Sequence, residues 1–135
     1  MTNQEINRNL IRDWIANANN GFSNGFEDYI SLDFVGRSRD GVIDFHELQQ
    51  LELAFVEAFP DSHYSVEDMI AENDRVVLRV TTRGTHRKEF HGISPTNRKV
   101  EFTGIVIYRI QDGKIAECWD EIDFDRLWKQ ITEKV

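Results

Sequence analysis

One carboxylate in this sequence interrupts an apolar pattern and could therefore do chemistry. Asp120 alternates with Cys118 and Ile122 on one side of a predicted strand. A carboxylate that faces the core loses its hydration unless it is paired, hydrogen-bonded or lining a cavity. Desolvation raises the pKa of such a group, which suits a general acid or base near neutral pH. Asp120 is thus the first catalytic candidate. The alternatives are a structural acceptor, or a register shifted by one residue that would bury Trp119 instead.

His86 is the second catalytic candidate. It ends the apolar side of another predicted strand, directly after Gly84 and Thr85, so its ring could reach the cavity that Asp120 lines. A surface or structural role is the alternative for a single histidine at a strand end.

The N-terminal segment predicts two helices. Thr2 and Glu5 have capping-box spacing, and apolar residues then recur at helical intervals until Asn19-Asn20-Gly21 ends the helix. A short second helix is predicted from residue 23 or 24 to about residue 30.

A third helix is predicted between Asp44 and Pro60. Glu47 follows Asp44 by three residues, which again is the spacing of a capping box. The predicted apolar side of this helix contains Leu48, Leu51, Phe55 and Phe59. A last short helix is expected to start near Asp123 or Asp125.

Beyond Pro60 the apolar period changes to two, which indicates strands. In residues 75–86 and in residues 102–110, successive side chains alternate between a side predicted to face the interior and a side predicted to face solvent. Asp112-Gly113 then predicts a hairpin turn into the strand that carries Asp120. Helices followed by hairpin-connected strands indicate an α+β fold with the helices on one side of the sheet.

Composition limits the class of protein. A length of 135 residues suits one domain spanning residues 1–135, and a net charge of −8 argues against nucleic acid or an anionic membrane as a partner. The single cysteine, Cys118, excludes an intramolecular disulfide and a multi-thiolate metal site. The N-terminus lacks a signal-peptide pattern, and no apolar stretch has membrane-spanning length. A cytoplasmic protein is expected.

Four short strings, in this order, resemble the SnoaL-like polyketide (ester) cyclases. They are Phe59-Pro60-Asp61, Gly84-Thr85-His86, Gly92-Ile93-Ser94-Pro95-Thr96-Asn97-Arg98, and Arg109-Ile110-Gln111-Asp112-Gly113-Lys114-Ile115 with Trp119 and Asp123 following. The likeness runs from about residue 41 to residue 131. The set is more specific for the family than for any one activity.

The resemblance implies the cone-shaped fold of the nuclear transport factor 2-like superfamily. In that fold a curved antiparallel sheet and N-terminal helices enclose an apolar pocket, and homodimers are common. It also implies intramolecular aldol condensation of a small hydrophobic carbonyl compound without metal or organic cofactor. The acid/base carboxylate of the family falls on Asp120. The residues expected to line the pocket and bind the substrate are Trp14, Phe55, Tyr64, Phe102, Val106, Tyr108 and Cys118.

One position departs from the family pattern. The polyketide cyclases have an assisting histidine on the preceding strand, where this chain has Val106. Aldol-type cyclisation and isomerisation therefore both stay open. In either reaction Asp120 would remove an acidic C–H proton, and His86 or a tyrosine hydroxyl would support the enolate oxygen.

Two other classes of function on the same fold are alternatives. A non-catalytic binding or assembly module would bind a hydrophobic metabolite or a partner whether or not Asp120 is intact. An isomerase, dehydratase or epoxide hydrolase would place its acid/base groups on other strands. The acidic outer side that contains Glu117, Trp119 and Glu121 is a candidate dimer interface.

Calcium binding is a further alternative, because residues 40–47 match the end of an EF-hand loop. Gly36 stands at the first ligand position, where the motif requires an aspartate, and Arg37 and Arg39 lie inside the loop. Asp44 and Glu47 are better explained as a helix cap.

Overall fold

A computed structural model describes residues 1–133 of the chain. Their helices and strands are α1 (Asn3–Asn19), β1 (Ile30–Ser38), β2 (Gly41–Asp44), α2 (Phe45–Ala58), β3 (His63–Glu72), β4 (Arg75–Thr85), β5 (Lys99–Gln111), β6 (Lys114–Ile122) and α3 (Phe124–Thr132). The strands form one curved sheet in the order β2-β1-β6-β5-β4-β3. Neighbouring strands are antiparallel except β1 and β6, which run parallel. The predicted α+β fold is confirmed.

Capping boxes start the two long helices where the sequence predicts them. The Thr2 hydroxyl accepts from the Glu5 amide and the Glu5 carboxylate accepts from the Thr2 amide, and Asp44 and Glu47 make the same pair of bonds at α2. Each pair satisfies amides that the first helical turn leaves without partners. The EF-hand-like segment is accordingly a tight β1–β2 hairpin followed by a helix cap.

The short helix predicted from residue 23 or 24 to about residue 30 is wrong, because this segment is a series of turns. Gly21, Phe22 and Gly25 have positive φ angles of 66°, 61° and 75°, which a right-handed helix does not allow. The Asn17 side chain holds the turns in place by donating to the Gly25 carbonyl at 2.8 Å and accepting from the Asn24 amide at 2.9 Å.

The pairing of β5 with β6 fixes the side of the sheet on which Asp120 lies. Asp120 pairs with the buried Val106, and Cys118 pairs with the buried Tyr108. Directly paired residues project to the same side of a sheet. The predicted register of Asp120 is therefore confirmed, and Trp119 lies on the outer side.

Two clusters of buried side chains lie on the covered side of the sheet. The first cluster joins α1 and the turns after it to the middle of the sheet, with Ile11, Trp14, Phe26, Leu78, Val106 and Tyr108 among its members. The second cluster joins the end of α2 to α3, the start of β5 and the segment between β4 and β5, and it consists of Phe55, Ala58, Phe59, Phe90, Val100, Phe102, Leu127 and Ile131. Within residues 1–133, no helix combines the length and the apolar character needed to cross a membrane.

Asp44→Ala removes the cap of α2 and should lower the free energy of unfolding by about 1 kcal/mol, measured by urea denaturation. Asp44→Ser is the matched control, because a serine hydroxyl still accepts from the Glu47 amide. Equal losses in the two variants, or a rise in the denaturation midpoint of the wild type on adding calcium, would contradict the cap assignment.

Candidate active site

Asp120 lies at the edge of the interior, where β6 approaches the β1–β2 hairpin. The residue is half-buried. Beside it is a cleft of ≈ 10 Å³ lined by Ser38, Arg39, Asp40, Asp120, Glu121, Ile122 and Phe124. That volume holds about one water molecule. The Asp120 carboxyl thus lies between the packed interior and a narrow route to solvent.

The surroundings of Asp120 favour its protonated form. Burial is the main cause, the charges of Glu121 and Asp40 add to it, and together they raise the pKa of Asp120 to about 6. A carboxyl with this pKa is largely ionised at neutral pH and still binds a proton readily. Asp120 therefore has the properties of a general base.

A second carboxyl, that of Glu52, lies on the inward side of α2, a position that the apolar pattern of the sequence does not predict. Leu51, which was predicted to lie on the apolar side of α2, is 47% exposed, and Glu52 takes the inward position between Leu48 and Phe55. Burial, followed by the charge of Asp120, raises the pKa of Glu52 to about 7. Glu52 follows Leu48 by four residues and precedes Phe55 by three. Residues at these spacings lie on the same face of a helix, so the sequence contains a signal that Glu52 faces inward.

Tyr64 opposes the effect of burial on Glu52, because its hydroxyl favours the charged form of that carboxyl and lowers its pKa. Tyr64 lies at the start of β3, where its backbone is tied to α1. Its amide donates to the Asn19 side-chain oxygen at 2.7 Å, and its carbonyl accepts from the Asn19 amide group at 3.0 Å. Burial raises the pKa of Tyr64 well above its usual value, so the phenol stays a neutral donor.

Other polar groups of this interior are neutral as well. Burial, with the neighbouring Cys118 as the next cause, raises the pKa of Tyr108, and the Trp14 indole opposes that change. Burial also raises the pKa of Cys118 to about 12. Among residues 1–133, Glu52 and Asp120 make no ion pair. The interior therefore contains two carboxyls, weak neutral donors and no cation bonded to either carboxyl.

The structure does not bring His86 to Asp120. Asp120 pairs with Val106 and Val106 with Leu78. His86 is eight residues beyond Leu78, roughly 26 Å along an extended strand at about 3.3 Å per residue. The expectation that the two side chains share one cavity is wrong. The alternation of apolar residues places both on the same side of the sheet, but it does not give their separation along the strands.

His86 is instead part of a closed packing arrangement. Its ring is fully buried and stacks on Phe59, with centroids 5.3 Å apart. Nδ1 accepts from the Thr96 amide at 3.2 Å, while Nε2 has no partner of normal hydrogen-bond geometry within residues 1–133. Burial lowers the pKa of His86, although the nearby carbonyls of Lys88 and Ile93 oppose that change.

Two of the short sequence strings contact each other in this region. The Asp61 carboxylate accepts from the Thr85 amide at 2.7 Å and from its hydroxyl at 2.6 Å. A Cβ on Gly84 would lie 3.3 Å from Phe59, which explains why glycine fits there. These strings hold the end of β4 against the end of α2, so they serve the fold.

The seven residues predicted to bind substrate divide between the two clusters. Trp14, Val106, Tyr108 and Cys118 belong to the first cluster, Phe55 and Phe102 belong to the second, and Tyr64 packs against both. Of these seven residues, Val106 is paired directly with Asp120, and Tyr108 is paired with Cys118 on the same side of the sheet.

Comparison with known proteins agrees with this architecture. Residues 8–131 match the profile of the family described as SnoaL-like polyketide cyclase. AclR of Streptomyces galilaeus, a proposed hydroxylase, is 30% identical, with 98% of this chain and 99% of that chain covered and a TM-score of 0.89. IdmH of Streptomyces antibioticus, a proposed polyketide cyclase, is 26% identical, with coverage of 94% and 99% and a TM-score of 0.81. A search of curated proteins finds no match.

Asp120→Asn should make the protein more stable at pH 8 by roughly 3 kcal/mol, since each pKa unit corresponds to about 1.4 kcal/mol. The pKa of Asp120 in the folded state lies above that in the unfolded state. Ionisation therefore costs stability as the pH rises from about 4 through about 6. Urea denaturation at pH 8 and pH 4 measures the effect, and the advantage should vanish at pH 4. Asp28→Asn, at an exposed position, is the control. An advantage of equal size at both pH values would contradict the assignment.

Proposed function

Because this chain belongs to the SnoaL-like polyketide cyclase family, we propose that it transforms a small apolar carbonyl compound by acid/base chemistry at Asp120. The reaction is an aldol-type ring closure or an isomerisation. The observation that carries the proposal is a desolvated carboxyl on the covered side of β6, beside a cleft that leads to solvent.

Asp120 removes a proton from the carbon next to the substrate carbonyl. The electrons of that C–H bond form the enolate, whose negative oxygen needs a hydrogen-bond donor. Tyr64 and Tyr108 support this part of the proposal, because both phenols are neutral and lie on the same side of the sheet. The enolate carbon then attacks a second carbonyl in a cyclisation or takes up a proton at another position in an isomerisation.

The charge of the interior supports a neutral substrate. Glu52 and Asp120 have no ion-pair partner among residues 1–133, so an anionic ligand would meet two acidic groups. Trp14, Val106 and Tyr108 provide apolar surface around them. The cleft of ≈ 10 Å³ is smaller than any ring compound, so substrate entry requires side chains at this opening to move.

Hydroxylation is a second candidate reaction, because the 30% identical AclR is a proposed hydroxylase. Mass spectrometry separates the two outcomes. A product heavier by one oxygen atom indicates hydroxylation, whereas an isomer or a dehydrated ring indicates proton transfer. The non-catalytic alternative predicts ligand binding without any product.

Asp120→Asn should slow proton abstraction at least roughly a hundredfold, because general base catalysis contributes about that factor. The measurement is enzyme-dependent exchange of the C1 protons of 2-tetralone, an apolar aromatic ketone, for deuterium, followed by NMR. Asp28→Asn should keep the wild-type rate. Exchange by Asp120→Asn at the wild-type rate would refute the role of Asp120.

We also propose a homodimer formed through the outer side of the sheet. Paired residues there make an apolar row of Ile70, Val77, Ile107 and Trp119, and Ile70 is 63% exposed. The neighbouring Ile105 is 49% exposed. Trp119 itself is partly covered, since the guanidinium groups of Arg37 and Arg75 lie 5.9 Å and 5.4 Å from its ring centroid. The exposed isoleucines are therefore better candidates for the centre of the interface than Trp119.

Ile105→Glu should convert the dimer to a monomer in sedimentation velocity, because it places a charge within an apolar contact. Leu32→Glu, at an exposed leucine on β1, is the control and should leave the dimer intact. A monomeric wild-type protein at micromolar concentration would contradict the proposed dimer.

A further inference from the structure

We propose that the tip of the β1–β2 hairpin, residues 38–41, is a gate over Asp120, and that the ion pair between Arg39 and Asp125 holds this gate closed. The substrate reaches Asp120 after the pair breaks and the tip moves away from α3. This inference rests on the proposed function for its substrate, a small apolar carbonyl compound, and adds to it the route by which that compound enters.

The cleft beside Asp120 begins where the pairing of β1 with β6 ends. The last paired residues of these two strands are Arg37 and Trp119. The next residue of each strand, Ser38 and Asp120, lines the cleft. β2, the other arm of the hairpin, is an edge strand of the sheet. The tip can therefore move without disturbing the β5–β6 pairing that holds Asp120 in place.

One ion pair joins the tip to the opposite wall of the cleft. The Arg39 guanidinium donates to both carboxylate oxygens of Asp125, each at 3.3 Å. Arg39 lines the cleft on the hairpin side, and Asp125 follows Phe124, which lines it at the start of α3. Within residues 1–133, the side chains of Arg39 and Asp40 make no other hydrogen bond or ion pair beyond the hairpin. This pair is therefore the polar side-chain link across the cleft.

The α3 side of the cleft is fixed, so the hairpin is the part that moves. Leu127 on α3 is fully buried. Arg126 and Gln130 on the same helix both donate to the Glu101 carbonyl on β5, at 3.0 Å and 2.8 Å. Residues 38–41, by contrast, are all exposed.

The strength of the ion pair suits a gate. The side chains of Arg39 and Asp125 are 59% and 66% exposed. Ion pairs with this exposure stabilise a fold only slightly and are screened by salt. The pair can therefore hold the tip in one position and still break often enough for a substrate to enter.

The walls of the cleft suit an apolar compound once the tip has moved. Ile122 and Phe124 line the cleft next to Asp120. Ile122 packs against both buried clusters, and the Phe124 ring centroid lies 6.2 Å from that of the buried Phe102. In the closed position the cleft of ≈ 10 Å³ holds about one water molecule. The closed tip therefore excludes a ring compound, and the open tip leads it along an apolar wall to the carboxyl.

A gate of this kind lowers the apparent affinity for substrate. Because only open molecules bind, the apparent Kd equals the intrinsic Kd divided by the open fraction. Loss of an exposed ion pair shifts such an equilibrium roughly two- to fivefold. The chemical step at Asp120 is unchanged, so the gate acts on KM and on kcat/KM and leaves kcat as it is.

The first test measures access to position 120 without catalysis. The Asp120→Cys variant, with Cys118→Ser to remove the native thiol, is labelled with N-phenylmaleimide, an aromatic reagent. Arg39→Gln and Asp125→Asn should each raise the labelling rate roughly two- to fivefold. The double variant should be no faster than the faster single one. The two substitutions change the local charge in opposite directions, so a rise in both reports opening and not a change in thiol acidity.

Arg79→Gln is the matched control for labelling, because it breaks an ion pair of similar exposure, with Asp68, on the outer side of the sheet. It should leave the labelling rate unchanged. Added sodium chloride should speed labelling while Arg39 is intact and have little effect in Arg39→Gln. Labelling that neither Arg39→Gln nor Asp125→Asn accelerates would overturn the gate and leave the role of Asp120 in proton transfer intact.

The second test follows deuterium exchange into 2-tetralone with Asp120 in place. Arg39→Gln and Asp125→Asn should each raise kcat/KM roughly two- to fivefold through a lower KM, with kcat unchanged. Arg79→Gln should match the wild type. A wild-type protein that catalyses exchange, with the same KM in both variants, would refute the gate alone. If the wild type catalyses no exchange, the proposed function is wrong and the labelling rates decide whether the gate exists.

Discussion

Burial of the Asp120 carboxyl is the constraint on which the candidate site depends. An ionised carboxylate between an apolar interior and a water-sized cleft costs stability, and the fold accommodates it because the carboxyl can retain a proton up to about pH 6. The pairing register of β6 with β5 places Asp120 on the covered side of the sheet. A register shifted by one residue would turn Asp120 outward, but it would also expose the apolar neighbours of Asp120 to solvent. The same packing that stabilises the sheet therefore sets the acidity of the site.

The distribution of charge differs between the two sides of the sheet. On the outer side, acidic residues are matched by arginines, as in the pairs Arg79–Asp68 and Arg109–Glu117. On the inner side, Glu52 and Asp120 have no such partners among residues 1–133. Exposed ion pairs contribute little to stability, whereas unpaired enclosed carboxyls carry a definite cost. Carboxyls that lower the stability of the fold and lie at a site open to solvent are typical of catalytic or binding sites.

Much of the fold follows from local sequence signals, and the site follows only in part. Capping boxes and two-residue alternation predict α1, α2 and the strands β4 to β6, because each signal lies within a few residues. The turns after α1 depend on the Asn17 side chain reaching Gly25, which no periodicity reveals. Asp120 breaks a strand pattern and is therefore visible. Glu52 stays hidden beside Leu51, because a glutamate on a helix is expected to face solvent. His86 is misplaced because alternation gives the side of a strand and not the distance along it.

We propose that the carbonyl compound reacts in the interior between α2 and the covered side of β6. A crystal structure with 2-naphthol, which has the shape of the enol of 2-tetralone, tests this most directly. We predict that the hydroxyl oxygen lies within hydrogen-bond distance of Tyr64 or Tyr108, with the adjacent ring carbon facing Asp120. A ligand bound only elsewhere, in the aromatic cluster around His86 or on the outer side of the sheet, would contradict the account.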